Sequence, residues 1–88
     1  MRLDLNGDVN RMTVRELGFF LENMPLADFS IKAIYQFEIS AYILCVDIKN
    51  EKNVIFTQRN EVKRYLSLDS VKSELKRLCP LVHFSVYA

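Results

Sequence analysis

Residues 29–48 read FSIKAIYQFEISAYILCVDI, and a change of pattern inside this stretch decides the fold. In its first half Phe29, Ile31, Ala33, Tyr35 and Phe37 alternate with Ser30, Lys32, Gln36 and Glu38. Successive side chains of a strand point to opposite faces, so this period of two predicts a half-buried strand. In its second half, Ala41–Ile48, apolar residues occupy both parities. A strand of that composition is covered on both faces or lies against an interface. It is the expected centre of the sheet.

Working outward toward the C-terminus, Asn50–Asn53 predicts a polar turn and Val54–Gln58 a third strand. Arg59–Glu61 then predicts another turn, and Val62–Leu66 a fourth strand. Connections this short join antiparallel neighbours, so residues 28–66 are expected to form a meander. Ser67 or Asp69 can cap a following helix whose Leu68, Val71, Leu75 and Leu78 face inward. Lys72, Glu74, Lys76 and Arg77 face outward, the last two suited to the negative end of the helix dipole. Pro80 ends the helix, and Leu81–Tyr87 predicts a final strand.

Toward the N-terminus, Thr13-Val14-Arg15-Glu16 has the form of a capping box, in which threonine and glutamate satisfy each other's backbone N–H groups. Val14, Leu17, Leu21 and Met24 follow at helical spacing, so a helix is expected over 13–24 with Pro25 as its stop. Gly18 inside it lowers helix propensity by about 1 kcal/mol relative to alanine, a sacrifice that points to close packing. Phe19 and Phe20 cannot both lie on one buried stripe. Residues 1–11 predict an N-terminal arm or short strand ahead of a single α+β domain over 12–88. The expected order is α-β-β-β-β-α-β, an antiparallel sheet of four to five strands with two helices packed on one face. The core is expected to be contiguous, drawn from Val14, Leu17, Leu21, Phe29, Ile31, Tyr35, Ile43, Cys45, Phe56, Leu75, Leu78 and Phe84.

The 88 residues are 50% apolar and 26% charged, a globular composition for one domain. No apolar run approaches the ~18–20 residues that span a bilayer, and the start MRLDLNGDVN lacks the pattern of a secretory signal. A cytoplasmic location away from membranes is the expectation. Cys45 and Cys79 do not make a disulfide framework and are expected to be reduced structural thiols.

Few chemistries fit. With only Gly7 and Gly18, the chain has no glycine-rich phosphate loop. Cys45, Cys79 and His83 are too few and too scattered for zinc. Asp4–Asp8 has its glycine in the wrong place for a calcium loop. Cys79 and His83 flank a strand start, which separates them by about 13 Å, beyond the reach of a nucleophile–base pair. Asp47 is a strand-end carboxylate. Aromatics interleave with basic residues, but the glycine-containing signature of RNA-binding sheets is missing. No catalytic, cofactor or metal residue is expected, and the chain is not expected to be an enzyme.

The stretches MTVREL (12–17), YILCVDI (42–48), LSLDSVKSELKRL (66–78) and PLVHFSVY (80–87) together resemble a family of short uncharacterised bacterial proteins. That family places a leading helix before a hairpin-rich sheet, a serine-capped helix and a final strand with a Val-His step. The resemblance implies the topology and assigns no site residues.

The functional expectation is a small interaction or regulatory protein, acting through self-association as a homodimer or through a protein partner. Phe19, Phe20, Val82, Phe84 and Val86 are the candidate contact residues, because the apolar surface exceeds what one thin core hides. The alternative is a nucleic-acid-associated accessory protein. Residues 52–88 hold seven Lys/Arg against three Asp/Glu, whereas 1–51 hold five against eight. Lys63, Arg64, Lys72, Lys76 and Arg77 are the candidate polyanion-binding set.

Overall fold

A computed structural model describes residues 9–23 and 29–87. The elements are β1 (Asn10–Thr13), α1 (Val14–Asn23), β2 (Phe29–Gln36), β3 (Ala41–Ile48), β4 (Glu51–Phe56), α2 (Leu68–Leu78) and β5 (Ser85–Tyr87). They build one α+β unit around a five-stranded sheet of order β1-β4-β3-β2-β5.

The sheet is mixed, which corrects the expected antiparallel arrangement. β2–β3 and β3–β4 are antiparallel hairpins, while β1 lies parallel to β4 and β5 parallel to β2. Two parallel edges follow from two helical crossovers, because a helix carries the chain back to start its next strand in the same direction. α1 leads from β1 to β2 and α2 from β4 to β5. Each crossover moves three positions in the same direction along the sheet. Both helices deliver their buried residues to the same cluster, Leu17 and Leu21 with Val71 and Leu75, so the two crossovers share one face and one hand.

The order is therefore β-α-β-β-β-α-β, and the difference arises at two places. First, Asn10–Thr13 is a strand paired with Asn53–Phe56, and the helix begins immediately after it. Residues 1–8 of the expected N-terminal arm, Asp4–Asp8 among them, lie outside the described residues, as do Met24 and Pro25. Second, Val62–Leu66 is not a strand. After Phe56 the chain turns through Thr57–Asn60, with the Thr57 N–H donating to Glu61 O at 2.6 Å and the Asn60 N–H to Thr57 O at 3.0 Å. It then touches the sheet only at two bridges, Phe56–Val62 and Tyr42–Tyr65. The excursion over 57–65 leaves Tyr65 to fill the position beside Tyr42 at the start of β3. β4 begins at Glu51, earlier than expected, because Lys49 and Asn50 alone close the β3–β4 hairpin with φ of 50° and 70°. Positive φ at both central residues matches the twist of the flanking strands.

Capping follows the sequence closely. The Thr13 N–H donates to Glu16 Oε1 at 2.9 Å and the Glu16 N–H to Thr13 Oγ1 at 3.1 Å. Ser67 caps α2, accepting from the Ser70 N–H at 3.2 Å. Gly18 packs against α2: a Cβ there would stand 3.0 Å from Leu78 Cδ2.

The core is split by the sheet into two layers, which corrects the expectation of one contiguous cluster. The helix side holds Leu17, Leu21, Ile31, Ala33, Leu44, Val46, Ile55, Tyr65, Val71 and Leu75. The opposite side holds Ile34, Ile43, Cys45, Val54 and Phe56, with Val9, Ile39, Val62 and Tyr87 packed around them. β3 is covered on both faces, as its composition predicts. Of the expected core residues, Val14, Phe29, Tyr35, Leu78 and Phe84 are only half-buried.

Candidate interaction surfaces

The C-terminal edge combines an edge strand with a groove. β5 pairs with Lys32–Ile34 of β2 on one side and has no neighbouring strand among the described residues on the other. Its Val86 stands beside Ala33 and is 49% exposed. The segment leading into it, Pro80–Phe84, lies along α2 and with Lys72, Leu75 and Lys76 encloses a groove of about 400 Å³. Leu81 at its rim is 85% exposed. The groove floor is apolar and its charged walls are lysines.

The five candidate self-association residues do not form one patch. Phe19 and Val86 are exposed. Phe20 turns inward and meets Phe29 edge-to-face at 5.3 Å. Val82 and Phe84 pack partly onto the helix-side core. Leu81, in the same apolar run as Val82, Phe84 and Val86, was not among the candidate contact residues. Phe37 is likewise exposed, its ring 4.9 Å from that of Tyr35, which in turn meets Tyr42 at 5.1 Å.

The basic set is divided by α2. Lys72 and Lys76, one turn apart, line the groove beside Pro80–Phe84. Lys63 and Arg77 lie on another side, where both reach Glu74: Lys63 Nζ at 3.3 Å from Oε1 and Arg77 Nη2 at 3.2 Å from Oε2. The Tyr65 hydroxyl donates to the same carboxylate at 2.8 Å. Arg64 is exposed between them in sequence. Burial opposes ionisation of Glu74, but the donors from Tyr65, Arg77 and Lys63 outweigh it and hold its carboxyl below the ordinary range. The Tyr65 hydroxyl is pushed strongly upward by burial and by its bond to Glu74. Glu74 was read from sequence as an outward surface charge. Only its i,i+3 spacing to Arg77 hinted at a partner.

The thiols are free: Cys45 is buried and Cys79 half-buried at the C-cap of α2. Burial, with Asp47 next to it, raises the Cys45 thiol to about 11. Its Sγ lies 3.6 Å from Asp47 Oδ1. Asp47 also pairs with Lys32 at 2.8 Å across the β2–β3 hairpin, on the face away from the helices. That bond to Asp47 raises the Lys32 ammonium above its ordinary value. Among the described residues no three His, Cys, Asp or Glu side chains gather at a metal-binding distance. No helix among them is long and apolar enough to cross a membrane. Comparison of the chain with family models, curated proteins and solved structures finds no match.

Proposed function

We propose that the protein is a non-enzymatic interaction module that self-associates through its C-terminal edge. The observation that supports this is the outer edge of β5, open among the described residues, with Val86 in the strand and Leu81 ahead of it both presented to solvent. Residues 80–87 contain no Lys, Arg, Asp or Glu, so no such like charges oppose a second copy of the strand. An unpaired strand edge offers a row of N–H and C=O groups to another chain. Three residues supply few ladder bonds, so apolar contact by Leu81 and Val86 must contribute much of the affinity. A two-fold axis beside β5 would place the same patch on both copies and extend one sheet into the other.

Light scattering across the micromolar range tests the reading. The expected mass is twice the 10.3 kDa of the chain, falling to monomer on dilution and in the Val86→Lys variant. Apolar strand pairing predicts little change between low and moderate salt, whereas a phosphate-contact partner would show a steep dependence. A monomer mass at every concentration would overturn self-association.

A further inference from the structure

A second site lies on the other side of the molecule, outside the carboxyl ends of the parallel pair β1 and β4. A cavity of about 260 Å³ opens there between the start of α1, the turn after β4 and the outer side of α2. Three cations reach it, Arg15 from α1, Lys63 from the 57–65 excursion and Arg77 from α2, with Thr13 and Thr57 between them. Open sheets commonly present ligands outside the carboxyl ends of their strands.

The charges around the cavity do not cancel. Glu74 is the carboxylate in its wall, and it already accepts from Tyr65, Lys63 and Arg77. An ammonium carries three donors and a guanidinium five, so Lys63 and Arg77 each keep donors after serving Glu74. Arg15 forms no hydrogen bond or ion pair with any described residue. The nearby Glu16 is turned to the Thr13 N–H as a cap. Thr13 Oγ1 and Thr57 Oγ1 accept backbone N–H groups at 3.1 and 3.3 Å, which leaves each hydroxyl proton to donate elsewhere. Three cations and two hydroxyl donors thus face one small space against a single, already satisfied carboxylate.

We infer that this cavity binds a phosphoryl group. Glu74 acts as a positioning residue: it holds Lys63 and Arg77 at the wall, while Arg15 closes on the ligand as a planar fork suited to a tetrahedral oxyanion. The excursion after β4 is what brings Lys63 here, so the loop has a use that its strand-like sequence conceals.

Titration of the intact chain with inorganic phosphate and pyrophosphate at low salt, followed by backbone amide NMR, tests the assignment. Saturable shifts are expected at Arg15, Thr57 and Lys63, larger and tighter for pyrophosphate, and weakening as salt screens the charges. Arg15→Gln removes an unpaired surface group and leaves the fold intact. It is expected to weaken pyrophosphate binding by about tenfold or more, the usual worth of a hydrogen bond to a charged group. The double variant Lys72→Gln/Lys76→Gln, on the groove side of α2, is expected to leave affinity unchanged. Shifts that fail to saturate, that persist in Arg15→Gln, or that vanish equally in the Lys72/Lys76 variant would overturn the site.

Discussion

β3 and the segment Leu81–Tyr87 are written in the same language and end in opposite surroundings. Both are runs of uncharged, β-prone residues for at least six positions. In β3, five of the six residues Ala41–Val46 are buried, whereas none of Leu81–Tyr87 is. The cause is position in the sheet. β3 is third of five, between β4 and β2 and between two apolar layers. Among the described residues β5 is an edge with one neighbour, reached by a crossover that leaves only three residues in pairing register. Local composition says that a segment will accept a strand conformation. Its neighbours decide what it hides.

The sharpest way to break this comparison is to truncate a leucine in each segment. Leu44→Ala empties a fully buried site and is expected to destabilise the monomer by about 2–5 kcal/mol. Leu81→Ala, at an exposed site, is expected to stay within about 0.5 kcal/mol. Denaturant unfolding at high dilution measures both. Equal losses would mean that Leu81 is buried within the monomer. A Leu81 effect that grows with protein concentration would instead report burial between two copies.

A smaller effect is expected where α2 is tied to the excursion. Glu74→Gln removes the charge that Tyr65, Lys63 and Arg77 all address, and a loss of about 1–3 kcal/mol is expected at neutral pH. The carboxyl of Glu74 is held below its unfolded value. Its stabilisation is therefore complete above the ordinary carboxylate range near ~4.3 and disappears as pH falls through the folded value. The variant should show a flatter acid limb in stability against pH than the parent. Identical acid limbs would place the network outside the folding equilibrium.

The least perturbing test leaves every residue in place and compares the two thiols. Cys45 in β3 is buried with its thiol raised to about 11, so at pH 8 only about a thousandth of it is the reactive thiolate. Cys79, half-buried just ahead of the edge segment, is expected to label first with a thiol reagent. Mass spectrometry of the partly labelled chain reads the order directly. Prior labelling of Cys45 would mean that the central strand opens before the edge does.

Much of the fold was legible because its signals are local. The capping box at Thr13–Glu16, the serine cap at Ser67 and the double-sided apolar run of β3 each depend on residues within a few positions of one another. The misread Val62–Leu66 carries a valine, a tyrosine and a leucine within five residues, so β-propensity alone favours a strand. The five-residue turn ahead of it shifts the register, and only the single bridges at Val62 and Tyr65 survive. The basic set was legible as composition. That α2 separates Lys72 and Lys76 from Lys63 and Arg77 was not, because Lys63 reaches its place through a loop whose path the chain cannot announce locally.

The sequence by itself determined two amphipathic helices and a β2–β3–β4 meander, since caps and hydrophobic periods act over short range. Tertiary structure alone decided that β1 joins the sheet parallel to β4, that β5 lies parallel to β2, and that apolar layers form on both faces. It also decided that Arg15, Lys63 and Arg77 meet around one cavity. Pairing at an edge and convergence of side chains join residues about forty to sixty positions apart. No local rule encodes such contacts, because their free energy is gained only when the whole sheet is assembled.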